Sequence, residues 1–523
     1  MIDDLAAYEA GAELEADLCV VGAGAAGLAI AREFLGSAAR VVVVESGGLG
    51  PEPETDRLKE GEVDGLDPAA LVDGRGRGFG GTTALWAGQC IPLDDIDFER
   101  REWVPHSGWP IAASDLADHY ARAAELFDVP GETYGESLWG RWGSAPPGVA
   151  RDRLRHTYTA WSPRPDLGRA LRRDFERSAN VRVLLHANVT QVATSGAGAA
   201  FDHLAVRHLD GTDARVRARA CVLSAGGVEN ARLLLMSGDP EAGGLANPHG
   251  AVGRYFQDHP NARSAVLRSP SPRTLQEAYG LFYRRRRRYL PKLALAPEVQ
   301  RRERVLNCGA NLEYDFADEA LNAMRRMYRG VRSGGAPAGI RRELAPIARG
   351  LPAAAATAYR RLAHGRSSLA APATIWLQTH TEQSPNPDSR VVLSRQRDAV
   401  GSNRARVEWR LTDLERRTAE VMARTVEAEF RRLGLASTEL AGWVEDSAGA
   451  WVEHCGDSYH HLGTTRMADD PAHGVVDRNS QVHGVAGLYA AGGSVFPTSG
   501  FANPTLTIAA LSLRLADHLR RRL

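Results

Sequence analysis

The N-terminal part of the chain carries two apolar runs separated by a glycine-rich turn and a helical segment. Residues 17–21 form the first run, residues 22–27 break it, and residues 28–34 are typical of the opening of a helix. Residues 41–44 form the second run, which ends on Glu45. Short apolar runs bounded by breakers are typical of strands buried on both faces. The pattern predicts a strand, a tight turn, a helix and a second strand that ends on an acid.

The turn has the spacing G-x-G-x-x-G in the structural context that dinucleotide binding requires. Gly22 permits the tight turn, Gly24 removes a Cβ that would hold a pyrophosphate away, and Gly27 allows the helix to pack closely on the strand. The helix N-terminus would face the phosphates with unpaired N–H groups. Glu45, which follows the turn by about 20 residues, would accept hydrogen bonds from the adenosine ribose. The motif predicts a bound dinucleotide and leaves open whether it is FAD or NAD.

Three later segments bring small residues to places where backbone could approach a ligand. Residues 74–88 contain many glycines around Trp86, a composition that suits backbone lying against a flat or charged group. The pattern predicts a buried strand over residues 221–227 that ends on small residues, followed by a helix over 228–236. It also predicts a strand over residues 488–491 that ends on two glycines. Repeated close approaches in one sheet favour a large two-part cofactor.

Between about Arg263 and Trp443 the pattern changes to alternating apolar and polar positions, as in half-exposed antiparallel strands. The predicted strands are residues 265–268, 305–314, 374–381, 390–393 and 404–410, and helical spacing covers residues 318–361 and 411–433. The sequence predicts a second lobe, a sheet covered by helices. The run Arg284–Arg288 is interpreted as a solvated loop or strand end, with binding of an anionic substrate or a membrane surface as the alternative.

Composition narrows the class of protein. A length of 523 residues predicts two or more lobes, and 43% hydrophobic with 24% charged residues is ordinary for a globular protein. Lys plus Arg equals Asp plus Glu at 64 each, so no global field favours nucleic acid or a membrane surface. Five scattered cysteines without a C-x-x-C pair indicate neither a disulfide framework nor a metal site. The acidic N-terminus and the lack of a long apolar run predict a cytoplasmic protein without a membrane span.

Five separated motifs together resemble the glucose–methanol–choline (GMC) oxidoreductase family of flavoproteins. They are the dinucleotide fingerprint and the segments at residues 80–82, 253–260, 382–390 and 461–505. They follow the family's order over almost the whole chain. The His-Leu-Gly and Asn-Pro-Thr-Leu-Thr segments that begin at His461 and Asn503 are most similar to the pyranose oxidase branch and its bacterial sugar- and glycoside-oxidising relatives.

The resemblance implies an α/β fold with a Rossmann-type FAD-binding domain, discontinuous in sequence, and a substrate domain with a mostly antiparallel sheet covered by helices. The implied parts are residues 14–110 and 179–262 of the FAD-binding domain, the connecting and cap segment 111–178, the substrate-binding domain 263–449, and the C-terminal part of the FAD-binding domain 450–523, which carries the catalytic residues.

Carried over position by position, the resemblance implies FAD rather than NAD. The residues expected to contact FAD are Gly22, Gly24, Gly27, Glu45, Gly80, Gly81, Thr82, Trp86, Val189, Gly226, Gly492, Gly493 and Thr505. Gly492 stands where the family usually has Asp, so one expected polar contact with the cofactor is missing or replaced. Leu85 stands where some relatives have the histidine that bonds covalently to FAD, so noncovalent binding is expected.

The resemblance also implies oxidation of an alcohol, in which a base removes the hydroxyl proton and a hydride passes to flavin N5. His461 is expected to be the base, because imidazole takes up a proton near neutral pH, and the adjacent His460 stays open as the alternative. Asn503 is expected to donate its amide N–H to the same substrate oxygen, with the role of helix N-cap before Pro504 as its alternative. The substrate would be a sugar, glycoside or other polyol, and oxygen or another acceptor would reoxidise the flavin. The competing hypothesis is a protein that keeps FAD for a structural or non-redox role.

Overall fold

The computed structural model describes residues 1–65, 68–131, 134–140, 146–196, 199–241, 243–284, 287–315, 359, 365, 372–446 and 451–523. The helical spacing over residues 318–361 falls outside this part of the chain, apart from Tyr359.

The strands of the described residues pair into three sheets. They are β1 (Ile2–Asp4), β2 (Ala12–Val21), β3 (Val41–Val44), β4 (Glu62–Asp64), β5 (Gln89–Cys90), β6 (Leu154–Trp161), β7 (Val181–Leu185), β8 (Asn188–Ser195), β9 (Ala200–Arg207), β10 (Asp213–Leu223), β11 (Asn261–Arg268), β12 (Phe282–Arg284), β13 (Arg287–Leu295), β14 (Cys308–Asp315), β15 (Thr374–Thr381), β16 (Arg390–Arg397), β17 (Asn403–Glu408), β18 (Ser437–Leu440), β19 (Cys455–Gly456) and β20 (Leu488–Ala490).

The α-helices of the described residues lie between these strands and at the C-terminus. They are Ala25–Arg32, Pro53–Asp56, Pro68–Asp73, Asp95–Phe98, Ala117–Leu126, Ser137–Gly140, Leu167–Arg177, Glu229–Met236, Pro272–Tyr279, Pro297–Glu303, Asp413–Arg432, Gly442–Glu445 and Thr505–Arg520. None of these helices is both long and apolar enough to cross a bilayer.

The first sheet is built on parallel strands. Its order is β1-β7-β3-β2-β10-β9-β8, and β20 also pairs with β10. The pairs β1-β7, β7-β3, β3-β2, β2-β10 and β10-β20 are parallel, whereas β10-β9 and β9-β8 are antiparallel. The connection of β2 to β3 runs through the helix Ala25–Arg32, which is the βαβ unit that the N-terminal pattern predicts. Because the strands are parallel, their carboxyl ends meet at one edge of the sheet.

The second sheet has nine strands and is antiparallel throughout. Its order is β18-β11-β15-β14-β13-β6-β5, with β12 on β13 and β19 on β11. A third sheet joins β16, β17 and β4. The fold class expected from the sequence is therefore confirmed. The five-part division of the chain stays a prediction, to which the pairing adds that β5, β6 and β19 belong to the second sheet although they lie outside residues 263–449.

The long helix Asp413–Arg432 confirms the helix predicted over residues 411–433. It begins at a capping box, in which Thr412 accepts from Leu414 N–H and the Glu415 side chain accepts from Thr412 N–H. Its apolar face packs on the second sheet through residues such as Met422 and Phe430, which are fully buried. The helix therefore covers the face of this sheet that does not line the cavity described below.

Two local predictions need comment. The predicted capping role of Asn503 is wrong, because the C-terminal helix begins at Thr505 with Pro504 as its cap, and the first helical hydrogen bond runs from Ile508 N–H to Pro504 O. The arginine run spans the end of β12 and the start of β13, where Arg287 binds Asp128 at 2.7 Å and the Arg288 guanidinium lies 4.2 Å from the centre of the Trp161 ring.

Candidate active site

A cavity of about 780 Å³ lies between the first two sheets. The wall from the first sheet is formed by residues at the carboxyl ends of β2, β3, β10 and β20, the edge at which open α/β sheets bind ligands. The opposite wall comes from one face of the second sheet. The volume is large enough for a cofactor with a small substrate beside it.

The glycine turn after β2 has the geometry that its spacing predicts. Gly22 has φ +94°, and its N–H donates to Val44 O at 2.8 Å. A Cβ on Gly27 would lie 1.9 Å from Gly22 O, so the helix packs against the turn only because this residue is glycine. A Cβ on Gly24 would instead point into open space, with Gly81 Cα as its neighbour at 4.0 Å. Gly22 and Gly24 line the cavity, and Gly27 supports the turn from behind.

Glu45 lies at the end of β3 and joins three loops of the cavity wall. Its carboxylate accepts hydrogen bonds from the N–H groups of Ala23 at 2.7 Å and of Gly47 and Gly78 at 2.9 Å. The side chain also lines the cavity. In this arrangement Glu45 holds the glycine turn and the glycine-rich segment together, and its expected contact with a ribose stays a prediction.

The glycine-rich segment folds over the glycine turn. Gly80 has φ +112° and donates its N–H to Ala23 O at 2.9 Å. A Cβ on Gly81 would lie 2.8 Å from Gly24 Cα, so the backbones of these two glycines are in contact. Both residues lie on the cavity wall. Thr82 and Trp86 line the cavity, and the Trp86 indole N–H donates to Pro165 O at 2.8 Å, which fixes the ring.

The remaining residues expected at the cofactor also lie on the cavity. They are Val189, Gly226, Gly492, Gly493 and Thr505. A Cβ on Gly493 would lie 2.6 Å from Leu462 Cδ2 and 3.0 Å from His461 O, so the segment after β20 packs tightly on the histidine segment. All of the expected cofactor residues except Gly27 and Gly80 therefore line one cavity.

His460 belongs to a hydrogen-bonded chain that fixes its tautomer. His259 Nε2 lies 3.3 Å from Ser499 O, and because a carbonyl only accepts, this nitrogen carries the proton. Burial lowers the pKa of His259 to about 4, so its Nδ1 is an acceptor at neutral pH. His460 Nδ1 lies 2.7 Å from that atom and must donate to it. His460 Nε2 is then free of a proton, which is the state a general base needs.

His460 and His461 have different charged neighbours around the cavity. The pKa of His460 is held well below its ordinary value by burial and by His259, Lys292, His380 and the adjacent His461. The pKa of His461 is lowered to about 3 by burial and by Arg75, which belongs to the glycine-rich segment. A Cβ on Gly227 would lie 2.9 Å from His461 Cβ, which places this residue against the turn after β10.

Asn503 presents its amide group to the cavity. Its Oδ1 is buried, and no residue in the described part of the chain forms a hydrogen bond with either amide atom. Because buried amides are normally paired, an orphaned one at a cavity wall marks a place where a ligand supplies the partner. The amide can donate to one oxygen of a ligand and accept from another group.

The sequence pattern gave no role to Asp258, which positions the histidine segment. Its carboxyl oxygen accepts from the backbone N–H groups of His259 at 2.6 Å, His460 at 3.0 Å and Ser458 at 3.2 Å. Burial and the nearby Asp457 raise the pKa of Asp258 to about 7. The residue lies within the 253–260 motif, which was the signal that could have found it. Its three bonds fix the backbone from which His460 projects.

A substitution at Gly81 tests the contact between the two glycine segments. Gly81→Ala is expected to weaken FAD binding at least about tenfold, because a Cβ at φ +53° costs roughly 1–2 kcal/mol and also displaces Gly24. Fluorescence titration of the apoprotein with FAD measures the change.

Gly148→Ala is the matched control, since its Cβ would meet nothing within 4 Å. An FAD affinity of Gly81→Ala equal to that of Gly148→Ala would show that this contact does not shape the cofactor site.

The fold and the cavity define a two-lobed oxidoreductase class in which a dinucleotide lies between a parallel sheet and an antiparallel one. The family model for GMC oxidoreductases matches residues 385–512. The chain is 25% identical to paromamine 6'-oxidase of Streptomyces fradiae, over 96% of this chain and 90% of that protein. It is 22% identical to 2-methyl-1,2-propanediol dehydrogenase of Mycolicibacterium austroafricanum, over 97% and 96%. The structure of formate oxidase superimposes with a TM-score of 0.55 and 16% identity, over 98% of this chain and 99% of that chain.

The partial match of the family model and the similarity to these relatives over almost the whole chain support the GMC oxidoreductase family. Members of the family are FAD-dependent alcohol oxidases and dehydrogenases, so the resemblance drawn from the sequence is confirmed, as is the assignment of the protein as an enzyme of this type. FAD is the cofactor that the family implies. The residues present fit it, because glycines at positions 22, 24 and 81 leave backbone open to the cavity and an unpaired amide faces it at position 503.

Proposed function

We propose that this protein oxidises a CH–OH group of a sugar, glycoside or other polyol to a carbonyl, with noncovalently bound FAD. The proposal is carried by two groups that line the same cavity. One is the neutral imidazole of His460, whose Nε2 carries no proton, and the other is the amide of Asn503, which has no partner among the described residues. The relatives named paromamine 6'-oxidase and 2-methyl-1,2-propanediol dehydrogenase act on small hydroxylated molecules, which supports this class of substrate.

In the proposed reaction the alcohol loses one proton and one hydride and becomes a carbonyl. FAD supplies the hydride acceptor when it is bound, and oxygen or another acceptor completes the cycle. The residues of this chain orient the hydroxyl group, take its proton and exclude water. The residues that would contact the cofactor line the cavity; they are Gly22, Gly24, Glu45, Gly81, Thr82, Trp86, Val189, Gly226, Gly492, Gly493 and Thr505. Gly27 and Gly80 would shape the two glycine segments behind them.

The proton acceptor is one of the two adjacent histidines, and the contacts favour His460. Its Nδ1–H donates to His259, so its Nε2 can take the hydroxyl proton while the charge that develops stays within a hydrogen-bonded pair. His461, the base expected from the sequence, is close to the glycine-rich segment, where the charge of Arg75 opposes its protonation. Separate replacement of the two residues tests the assignment.

Asn503 is proposed to donate its amide N–H to the substrate oxygen as the proton leaves. This hydrogen bond would strengthen as negative charge develops on the substrate oxygen. A bond that is stronger in the transition state than in the bound substrate lowers the activation barrier instead of tightening substrate binding. The helix Thr505–Arg520 starts beside it and directs its N-terminal N–H groups toward the same part of the cavity.

Reduction of the flavin by an alcohol in the absence of oxygen tests the proposal. Sugars, glycosides and aliphatic diols are mixed with the holoenzyme, and the flavin absorbance near 450 nm is followed. Bleaching by at least one of these alcohols, with formation of the matching carbonyl product, is expected. An enzyme that keeps FAD for a structural or non-redox role would show no bleaching with any of them.

Leu85 makes noncovalent attachment the expected state. Its side chain is 51% exposed and lines the cavity, and it carries no group that could bond to the flavin. Acid denaturation of the yellow protein is expected to release all of the flavin into the supernatant, and mass spectrometry of the polypeptide is expected to show its unmodified mass. A polypeptide heavier by one FAD would contradict this expectation.

A further inference from the structure

Lysine is rare in this chain, and its positions are informative. Of the 64 lysine and arginine residues, only Lys59 and Lys292 are lysines. Both line the cavity, and they are 6% and 4% exposed. Lys59 is fully engaged, since it donates to Arg75 O at 2.7 Å and pairs with Asp56 at 3.0 Å. The chain thus uses arginine for its surface cations and keeps its other lysine inside the cavity.

Lys292 lies on the cavity wall that is formed by the second sheet, which is called the substrate-side wall below. It is on β13, one position before Leu293, which pairs with Ala310 of the antiparallel strand β14. Lys292 and Asn311 therefore lie opposite each other on the same face of the sheet. Asn311 Oδ1 accepts from His380 Nε2 at 2.8 Å, and His380 itself lines the cavity from β15. None of the described residues accepts a hydrogen bond from the Asn311 amide Nδ2, which can therefore donate to a ligand.

No partner for the Lys292 ammonium group is found among the described residues. None of them forms a hydrogen bond or an ion pair with it. Glu313, which lines the same wall from β14, is already paired with Arg263 at 3.2 Å, and Glu382, which follows β15, is paired with Arg101 at 2.5 Å. Burial lowers the pKa of Lys292 to about 8, and no carboxylate opposes that effect.

The titratable neighbours of Lys292 on the cavity leave its charge uncompensated. The Lys292 charge contributes to lowering the pKa values of His259, His380 and His460, which are therefore neutral at pH 7. A buried cation without a partner destabilises the fold, and an apolar side chain of similar length would avoid this cost. The substrate-side wall is thus electropositive, and a bound anion would both pair the ammonium and accept from Asn311.

We propose that Lys292 and Asn311 bind a carboxylate of the substrate, so that the alcohol oxidised here is that of a hydroxy acid or a sugar acid such as a uronate. The inference rests on the proposed function, because the carboxylate would hold the reacting carbinol against His460 and Asn503. Lys292 acts as a specificity-determining residue and takes no part in the proton or hydride transfer. Its compact ammonium group suits a point contact with an anion in a closed space.

Anaerobic flavin reduction by a matched set of substrates tests the proposal. Methyl glucoside, methyl glucuronide and methyl 6-amino-6-deoxyglucoside differ only in carrying a hydroxymethyl, a carboxylate or an ammoniomethyl group on the same ring carbon. Gluconate and 2-hydroxy acids extend the set to other positions of the carboxylate. At least one carboxylate substrate is expected to reduce the flavin with an apparent Kd lower than that of its neutral counterpart, and the ammonium analogue is expected to be the poorest.

Lys292→Met is the informative variant. It is expected to raise the apparent Kd of the carboxylate substrate by roughly 10- to 100-fold, the value of a charge-assisted hydrogen bond, and to leave the neutral counterpart within about twofold. Its Tm is expected to equal or exceed that of the wild type, since a buried unpaired charge is removed. Equal losses for charged and neutral substrates, or slower reoxidation by oxygen with an unchanged preference among substrates, would overturn the proposal.

A binding measurement separates this inference from the proposed function. With ¹³Cε-labelled lysine, NMR of the oxidised holoenzyme shows two lysine environments, and Lys292→Met assigns them. Glucuronate is expected to shift the Lys292 resonance and to raise its pKa above about 8, with glucose inactive and Lys59 unmoved as the internal reference. If no alcohol reduces the flavin but glucuronate moves this resonance, the redox function fails and the anion site stands. A resonance unmoved by glucuronate, gluconate and 2-hydroxy acids alike would refute the anion site.

Discussion

Replacement of His460 by alanine is expected to slow flavin reduction by roughly 10²–10⁴-fold while the protein keeps its FAD. The reason is that His460 Nε2 has no proton when its Nδ1–H donates to His259, so it is the nitrogen poised to take the hydroxyl proton. Anaerobic stopped-flow mixing with a saturating alcohol measures the rate constant directly, and the visible spectrum reports the bound flavin.

His461→Ala is the matched control, because the two residues are adjacent and equally buried but have different charged neighbours. A loss of less than about tenfold is expected for it, since removal of a residue that only packs on the turn after β10 leaves the proton acceptor in place. The opposite order, with His461→Ala the slower enzyme, would return the role of base to His461 as the sequence first suggested.

The pH dependence of flavin reduction follows from the same geometry. The pKa of His460 lies well below the ordinary value of 6.5, first because of burial and then because of His259 and Lys292. A base with a lowered pKa is deprotonated at neutral pH and loses activity only in acid. With a saturating neutral alcohol, the rate constant is therefore expected to be flat at and above pH 6.5 and to fall only well below it. A neutral alcohol is used because Lys292, with a pKa of about 8, is proposed to bind a substrate carboxylate. A rate that already falls between pH 7.5 and 6.5 would speak against His460.

Replacement of Asn503 by alanine is expected to lower kcat by roughly 10²–10³-fold, as does loss of one donor to a developing oxyanion. The same change is expected to leave Tm unchanged or slightly higher, because the amide has no partner among the described residues and its removal leaves no other group unsatisfied. Steady-state kinetics and thermal unfolding of the holoenzyme measure the two effects.

Asn479→Ala provides the control, since this asparagine does not line the cavity. A fall in kcat together with a large fall in Tm for Asn503→Ala would indicate that Asn503 supports the fold, and unchanged kcat would remove it from the reaction.

Much of the fold could be predicted because its signals are local. The run of valines at β3, the glycine spacing after β2 and the alternation in β15 each depend on a few consecutive residues, and the observed bounds agree with them. The composition of the second sheet could not be predicted in the same way. Strands β5 and β6 join it through pairing with β13, a contact between residues far apart in sequence that leaves no local pattern.

The candidate site was predicted residue by residue but not in its orientation. Adjacent histidines look alike in a sequence, and only the three-dimensional contacts show that one of them hydrogen-bonds to His259 and the other lies against Gly227. The helix N-cap, the alternative role considered for Asn503, belongs to Pro504, because the helix begins at Thr505. The sequence also could not predict that the Lys292 ammonium group has no partner among the described residues, because this depends on which acids already have arginine partners.

The two walls of the cavity divide the work of the enzyme between separate sheets. The histidine segment and Asn503 belong to the loops of the parallel sheet, whereas Lys292, Asn311 and His380 project from strands of the antiparallel one. Side chains on a strand face can be exchanged without moving the loops opposite them. Redesign for a neutral, acidic or basic alcohol can therefore be confined to three neighbouring strands. His460 and Asn503 can be kept in each variant, while the pKa of His460 responds to changes at Lys292 and His380.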